Sequence, residues 1–246
     1  MLTWRFFVDR AAIKDDEALL DAAESHHLSK VLRLAEDDRV ILFDGQGTVY
    51  EGVVLQADGR ARVKILCRRQ GDAGGRPLVI AQAILRGVKM DELARQYTEL
   101  GVNTLMPIWT SRCQGSFDAL KESQRQARQL RIIETACKQS GRAYPLRLEA
   151  PQSFAGFLAD CPEGQSGWRR LMFWEDEETT TLRDLSFADV EGIVALIGPA
   201  GGWTPEEAAM ARVRGFCTVR LSGPILRAET AGLAAAAICQ FLLRNL

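Results

Sequence analysis

The sequence of 246 residues has few of the side chains that serve nucleophilic catalysis and zinc binding. Its only two histidines, His26 and His27, are adjacent, so no distant histidine can activate a serine or cysteine in a catalytic triad. Its six cysteines are widely spaced and form no CxxC pair for zinc or thiol exchange. We therefore expect reduced, mostly buried thiols, and neither a triad hydrolase nor a histidine-based zinc site.

An excess of charge of one sign is also absent. The 31 Lys and Arg are balanced by 32 Asp and Glu, so the formal net charge of -1 gives no overall attraction to nucleic acid or membrane. The most apolar stretch, residues 231–243, is interrupted by Gln240 and is shorter than the ~20 residues of a membrane helix. Arg5, Asp9 and Arg10 interrupt the apolar start and leave no signal-peptide core. These features predict a soluble, cytoplasmic protein with no membrane partner.

Short strand-like runs alternate with turn signals in the first part of the chain. The runs cover residues 4–8, 39–43, 48–55 and 60–69, which predicts a small antiparallel β-barrel. Apolar residues at helical spacing predict one short helix over residues 24–34. Three glycines and a proline break the pattern at residues 70–77. We therefore predict a small domain over residues 1–72 and a larger one over residues 77–246.

The larger domain alternates strands with helices. Strands are predicted at residues 78–85, 104–109, 171–174, 192–197 and 218–221. Helices are predicted at residues 90–100, 124–140, 205–214 and 230–243. This alternation is typical of an α/β fold with a mostly parallel sheet covered by helices on both faces.

The sharpest local feature is the glycine-rich loop Gly198-Pro199-Ala200-Gly201-Gly202-Trp203, which leaves a buried strand and enters a helix. Thr204, Pro205 and Glu207 predict a helix start with a capping box. Glycines allow close approach of a ligand, and ligands of open sheets bind outside the carboxyl ends of strands. The spacing is neither GxGxxG nor GxxxxGK[ST], which disfavours NAD and ATP. The loop predicts a small-ligand site, with a tight turn that binds nothing as the alternative.

A second loop, Leu221-Ser222-Gly223-Pro224-Ile225-Leu226-Arg227, connects the last strand to the closing helix. Two such loops at neighbouring strand ends could close over one small ligand. Glu229 follows two residues after Arg227. The alternative for these two residues is a simple ion pair at the start of a helix.

In this order, the two loops resemble the ending of the SPOUT RNA methyltransferases, in particular the bacterial RsmE-type family that methylates N3 of a uridine in 16S ribosomal RNA. That family usually has GPEGG in the first loop and LGPRILRxETA in the second. The front of the chain, at residues 5–8, 27–34 and 43–47, resembles its PUA-like RNA-binding domain. Residues 89–91 and 98–102 are similar to its first strand–helix unit.

The resemblance implies a trefoil-knotted catalytic domain, S-adenosylmethionine as cofactor, a homodimer, 16S ribosomal RNA of the 30S subunit as partner, and no metal. It implies that the two loops bind the cofactor through Ile197, Gly198, Pro199, Gly201, Gly202, Leu221, Ser222, Gly223, Ile225, Leu226 and Arg227. Uridine N3 carries a proton and is a poor nucleophile until that proton is lost. Arg227 is the predicted stabiliser of the negative charge, and Glu229 is predicted to orient Arg227 or to accept the proton.

The local distribution of charge predicts RNA contacts. Residues 1–75 contain 11 Lys or Arg and 13 Asp or Glu, whereas residues 112–147 contain eight basic and three acidic residues. Arg125, Arg128 and Arg131 recur every three residues, and so do His27, Lys30 and Arg33, so each set would share one helix face. An ordinary solvated face is the alternative. The predicted RNA-binding residues are Arg5, His27, Lys30, Arg33, Lys89, Arg112 and Arg142.

The chain departs from the family's usual residues close to the chemistry. Ala200 replaces the Glu of GPEGG, Pro224 replaces the first Arg of GPRILR, and Lys138 replaces a Glu. Ser222-Gly223 stands in place of Gly-Pro, and Gln96 in place of a common Lys. Ala200 and Pro224 motivate a second hypothesis, an RNA-binding protein that keeps this fold but has lost or altered methyl transfer.

Overall fold

The computed structural model describes residues 4–114, 119–161 and 167–246, without the side chains of residues 119–121. The chain divides into two compact units. The first unit comprises Met1–Ala73 and Glu134–Pro145, and the second comprises Gly74–Ile133 and Leu146–Leu246. Across the described ranges, no helix has the length and apolar character needed to cross a membrane. All six cysteines are free, three of them buried and Cys67 exposed.

The first unit contains a mixed sheet of six strands. They are β1 (Trp4–Phe7), β2 (Ile13–Lys14), β3 (Glu17–Leu19), β4 (Arg39–Phe43), β5 (Thr48–Gln56) and β6 (Arg62–Gln70). Their order is β1-β4-β5-β6-β3-β2. All pairs are antiparallel except β1 with β4, which is parallel and corrects the prediction of a purely antiparallel barrel. A parallel pair needs a long crossover, and the chain between β1 and β4 provides one through β2, β3 and a helix.

That helix, α1 (Ala22–His26), continues as a π-helical turn over His27–Val31 and ends before the predicted Leu34. The Asp21 side chain caps it by accepting a hydrogen bond from the Glu24 N–H at 2.8 Å. Leu28 is fully buried in the core beneath the helix. Arg33 has a left-handed backbone with φ of 56°, so it has left the helix and shares no helix face with His27 and Lys30.

The second unit contains a parallel sheet. Its strands are β7 (Leu78–Ala83), β8 (Thr104–Trp109), β9 (Arg147–Leu148), β10 (Gln152–Ser153), β11 (Trp168–Phe173), β12 (Gly192–Ile197) and β13 (Cys217–Val219). The order is β10-β8-β7-β12-β11-β13, β9 also pairs with β8, and every pair is parallel. All residues of β12 are buried, which explains its continuous apolar run. The predicted parallel sheet is confirmed, while the knot stays a prediction.

Helices cover both faces of this sheet, as predicted. The helices are α2 (Lys89–Glu99), α4 (Phe154–Asp160), α5 (Pro205–Val213) and α6 (Ala228–Leu242). A further helix, α3 (Ala119–Ser140), belongs to the second unit up to Ile133 and to the first unit from Glu134 onward. Val194 and Leu196 pack in one core with residues of α4 and α5. On the opposite face, the Tyr97 hydroxyl of α2 donates to Gln82 of β7 at 2.8 Å. A Cβ on Gly232 of α6 would overlap that hydroxyl, so the glycine lets α6 approach α2 closely.

Candidate functional site

A cavity of about 520 Å³ lies in the second unit at the carboxyl ends of three strands. Its walls are the residues that directly follow β11, β12 and β13, together with Lys89 at the start of α2. β11 lies between the other two strands in the sheet. Because the strands are parallel, their carboxyl ends meet at one edge, which is where open α/β sheets bind ligands.

The first loop approaches the cavity through its backbone. A Cβ on Gly198 would lie only 2.9 Å from Nε1 of Trp203, and a Cβ on Gly202 would overlap the Glu175 carboxylate. Gly202 also has φ of +72°, a conformation that favours glycine. Trp203 is fully buried, and its indole N–H donates to the Phe173 carbonyl at 3.0 Å. The glycines are therefore required by close packing around the loop.

Two anchors hold this loop in place. The predicted capping box is present, because the Glu207 N–H donates to the Thr204 hydroxyl at 3.2 Å and the Thr204 N–H donates to the Glu207 carboxylate at 3.0 Å. The Arg112 guanidinium donates to the carbonyls of Gly201 and Trp203 at 2.9 and 3.2 Å. Arg112, predicted to contact RNA, thus fastens the backbone of the first loop.

The second loop also lines the cavity. The N–H of Arg220, the residue before this loop, donates to the Thr180 carbonyl at 3.1 Å. The Arg227 carbonyl at the end of the loop accepts from the Ala231 N–H in the first turn of α6. Gly223 has φ of +117°. Ile225 is 89% exposed, so this loop presents an apolar side chain to solvent.

Glu229 pairs with Lys89 rather than with Arg227. The Lys89 ammonium lies 2.8 Å from the Glu229 carboxylate, and both residues line the cavity. The hydrogen bond from Lys89, helped by the backbone N–H of Glu229, lowers the pKa of Glu229. A carboxylate stabilised in this way is a weak base, so the geometry favours an orienting role for Glu229.

Most of the predicted cofactor residues line this cavity. They are Ile197, Gly198, Pro199, Gly202, Leu221, Ser222, Gly223, Ile225, Leu226 and Arg227, whereas Gly201 does not line it. Ala200 and Pro224, two of the departures from the family's usual residues, also line the cavity. Phe173, Trp174 and Glu175, which end or follow β11, also line the cavity and were not predicted. The sequence did contain a signal for them. A parallel strand was predicted at residues 171–174, and the end of such a strand lies at the same sheet edge as the two loops.

Three of the predicted RNA-binding residues are partly buried in the first unit. The Arg5 guanidinium donates to the Arg142 carbonyl at 3.3 Å and lies 5.3 Å from the centre of the Phe43 ring. The His27 ring packs edge-on against Phe6, and burial together with the nearby Lys138 charge lowers the pKa of His27. His27 is therefore neutral near pH 7 and supplies no cation for a phosphate.

Lys138, another departure from the family's residues, has a structural partner. Its ammonium pairs with the buried Glu24 carboxylate and with Glu134 at 3.1 Å. Since Glu24 belongs to α1 and Lys138 to residues 134–145, the pair joins two segments of the first unit that are distant in sequence. The replacement of Glu by Lys at this position is thus matched by the acidic residues around it.

Lys30 and Arg33 remain available at the surface of the first unit. The Lys30 side chain is 67% exposed and lies 4.0 Å from Asp58, and Arg33 is exposed. In the second unit, Arg125 pairs with Glu122 and Arg128 with Asp91, so the predicted basic face of α3 is partly neutralised. Residues 115–118 of the basic segment lie outside the described residues.

Comparison with known proteins gives matches over nearly the whole chain. A family model described as an RNA methyltransferase domain matches residues 74–240, and one described as an RNA methyltransferase PUA domain matches residues 20–66. The chain is 30% identical over 248 residues to the ribosomal RNA small subunit methyltransferase E of Synechocystis sp., covering 100% of this chain and 80% of that protein.

Two solved structures are similar in fold to the chain. One is a ribosomal RNA small subunit methyltransferase E from Neisseria gonorrhoeae bound to S-adenosyl methionine, with a TM-score of 0.85, 29% identity and coverage of 98% of each chain. The other is a Legionella pneumophila protein in complex with the bound cofactor SAM, with a TM-score of 0.87, 25% identity and coverage of 98% of each chain.

Proposed function

The chain belongs to the RNA methyltransferase family, with both its methyltransferase domain and its PUA domain, and we propose that it methylates N3 of a uridine in 16S ribosomal RNA with S-adenosylmethionine. The observation that carries the proposal is the cavity formed by two glycine-bearing loops, which follow β12 and β13, and by the residues that end or follow β11. The similarity to the cofactor-bound Neisseria gonorrhoeae enzyme supports it. Action on ribosomal RNA would place the protein in the cytoplasm.

The residues around the cavity fit S-adenosylmethionine. The walls offer backbone groups at Gly198 and Gly202, apolar surface at Leu221 and Leu226, and a carboxylate at Glu175. Such a set suits an adenosine ligand with a positively charged sulfur better than a nucleotide, whose phosphates need a cradle of donors. When bound, this cofactor supplies an electrophilic methyl group on a positively charged sulfur.

Arg227 is the residue we assign to charge stabilisation. Its side chain is exposed in the second loop and borders the cavity, where its fork of donors could hold a uracil carbonyl oxygen. Loss of the N3 proton places negative charge on the uracil ring. A fixed cation beside that charge lowers the barrier to attack.

Glu229 and Lys89 form the second charged group at the cavity. Because the carboxylate is already paired with Lys89, we assign it to holding the Lys89 ammonium beside the target base. Two cations, Arg227 and Lys89, then surround the position where negative charge develops. The N3 proton leaves to solvent. Direct attack of N3 on the methyl group of the cofactor then needs no covalent intermediate with the enzyme.

The test has two stages that separate binding from chemistry. Calorimetric titration with S-adenosylmethionine should give one site per chain. Incubation of unmethylated 30S subunits with radiolabelled cofactor should label 16S ribosomal RNA, and nucleoside mass spectrometry should find 3-methyluridine. Binding without transfer would favour an RNA-binding protein that has lost catalysis, and methyl on another atom would contradict the N3 assignment.

We further propose that the protein is a homodimer. Ala231, Ala234, Ile238 and Phe241 form a stripe along α6 that is not fully buried in the single chain, and Phe241 is 69% exposed. An apolar helix face of this kind favours a protein partner. Light scattering at micromolar concentration should give a dimer mass. Phe241→Glu should shift it to the monomer, whereas Met210→Glu on the exposed side of α5 should not.

A further inference from the structure

A buried carboxylate, Glu177, lies shortly after β11 and outside the cavity lining. It is 7% exposed, whereas its neighbour Glu178 is exposed. One of its oxygens accepts the Thr179 N–H at 3.1 Å, the Thr180 N–H at 3.2 Å and the Thr179 hydroxyl at 2.8 Å. The other accepts from the Thr218 hydroxyl and from the Arg212 guanidinium at 3.1 Å.

These bonds connect three elements of the second unit. Thr179 and Thr180 lie in the segment after β11, Thr218 lies in β13, and Arg212 lies in α5. The Arg212 guanidinium also donates to the Thr218 hydroxyl at 2.9 Å. A carboxylate that receives five hydrogen bonds is held in one place, and charge-assisted bonds of this kind are the stronger ones.

One route leads from Glu177 to the wall of the cavity. The Arg212 guanidinium that Glu177 holds lies 5.3 Å from the centre of the Trp174 ring. Trp174 lines the cavity, and its backbone N–H donates to the Val219 carbonyl at 3.0 Å. The position of the indole ring therefore depends on a cation that Glu177 fixes.

A second route leads to the loop that follows β13. Glu177 accepts the Thr180 N–H, and the Thr180 carbonyl accepts the Arg220 N–H at 3.1 Å. Arg220 directly precedes the second loop and lines the cavity. One carboxylate thus supports two of the three segments that form the cavity wall, without touching the cavity itself.

We propose that Glu177 is a positioning residue that sets the affinity of this pocket for its cofactor, through Trp174 and the start of the second loop. The inference rests on the proposed function, because it takes the cavity to be the S-adenosylmethionine site. Hydrogen bonding from Thr218, followed by that from Thr179 and Thr180, lowers the pKa of Glu177 to about 2, so the carboxylate stays ionised at every pH at which the enzyme would be assayed.

The test compares Glu177→Gln with Glu178→Gln, which removes the same charge one residue away at an exposed position. Calorimetry with S-adenosylhomocysteine should show at least about tenfold weaker binding for Glu177→Gln and a change of less than about twofold for Glu178→Gln. In steady state, Glu177→Gln should raise KM for S-adenosylmethionine while kcat at saturating cofactor stays within about twofold. A purely structural role would lower the melting temperature and the active fraction but leave Kd unchanged, and that result would overturn the inference.

A second variant, Arg212→Met, keeps an apolar stem beside Trp174 but removes the guanidinium. It should also weaken S-adenosylhomocysteine binding, by about three- to tenfold, and it decides the question if Glu177→Gln does not fold. A wild-type protein that binds neither ligand would overturn both the proposed function and this inference. Tight wild-type binding with an unchanged Kd in the variants would remove this inference alone.

Discussion

The cavity of the second unit and the basic residues of the first unit were predicted by the same kind of sequence reasoning, and they differ in what the structure does with them. At the cavity, the predicted loop residues meet at one sheet edge, apart from Gly201. Of the predicted RNA-binding residues in the first unit, Arg5, His27 and Arg142 are partly buried, whereas Lys30 and Arg33 are exposed. A site formed by backbone is encoded locally by glycines and caps, whereas a site formed by long charged side chains depends on which partners the fold brings to them.

Two buried carboxylates, one in each unit, also differ in what surrounds them. In the first unit, burial raises the pKa of Glu24 although Lys138 opposes it, and one oxygen of Glu24 has no hydrogen-bond partner. In the second unit, hydrogen bonds from Thr218, Thr179 and Thr180 lower the pKa of Glu177 to about 2. The number of donors, rather than burial alone, decides how well a fold tolerates a buried charge.

The largest effect is expected at the cavity, where Gly202→Val should break the backbone-formed site. The new side chain would be strained at φ of +72° and would overlap Glu175, so S-adenosylmethionine binding should weaken by at least about 100-fold. Calorimetry measures the loss. Gly59→Val is the matched control, because Gly59 has φ of +73° with nothing within 4 Å of an added Cβ, and it should bind normally.

Gly201→Val tests the boundary of this site. Its Cβ would lie 3.2 Å from Cβ of Arg112 outside the cavity lining, so binding should weaken less than in Gly202→Val. An equal loss of cofactor affinity in both variants would mean that the hydrogen bonds from Arg112 contribute as much to cofactor binding as the cavity wall does.

A side-chain effect within the cavity comes next. Arg227→Ala should lower single-turnover methylation of 30S subunits by about 100-fold, while the affinity for S-adenosylmethionine changes little. Arg227→Lys should recover only part of the rate, because the fork of donors is gone. Arg183→Ala removes a charge from an exposed residue away from the cavity and serves as the control. A near-normal rate in Arg227→Ala would remove Arg227 from the mechanism.

In the first unit, Lys138→Met should reduce the free energy of unfolding by about 3 kcal/mol, because it leaves the Glu24 carboxylate buried without its cation. The loss should shrink as pH falls from about 7 to about 5. Without Lys138 the folded-state pKa of Glu24 rises further above its unfolded value, so the folded state binds a proton that the unfolded state does not. Urea unfolding at both pH values measures this. Glu24→Gln combined with Lys138→Met should restore part of the stability. If it does not, the loss in Lys138→Met does not come from leaving the Glu24 carboxylate unpaired.

The smallest effect is expected for the exposed cations of the first unit. Lys30→Ala with Arg33→Ala should weaken binding to a 16S ribosomal RNA fragment several-fold and reduce the slope of log K against log salt by roughly 1 to 2. Arg5→Ala should instead lower the melting temperature, because it removes a cation packed on Phe43. RNA titrations at several salt concentrations measure the effect on RNA binding, and thermal melts measure the effect on stability. An unchanged salt slope in the double variant would exclude Lys30 and Arg33 from the RNA surface.

The sequence predicted the parallel sheet, the capping box at Thr204 and the two loops because each is determined by neighbouring residues. It placed the loops at neighbouring strand ends, but β11 lies between β12 and β13, and strand order is set by tertiary packing. Helix α4 was missed although Ser153 caps it and Phe154, Phe157 and Leu158 have helical spacing. The pairing of Lys89 with Glu229 could not be read from the chain, because 140 positions separate the two residues.

The membership of Glu134–Pro145 in the first unit has a consequence for how the protein is made. A chain growing on the ribosome emerges from its N-terminus, so Met1–Ala73 is exposed long before the segment that completes its unit. Until Lys138 emerges, Glu24 has no ammonium to pair with, and burial of its carboxylate is unfavourable. The N-terminal segment therefore stays incompletely packed while Gly74–Ile133 of the second unit is synthesised. A fragment that stops at Ala73 would be trapped at that stage of vectorial folding.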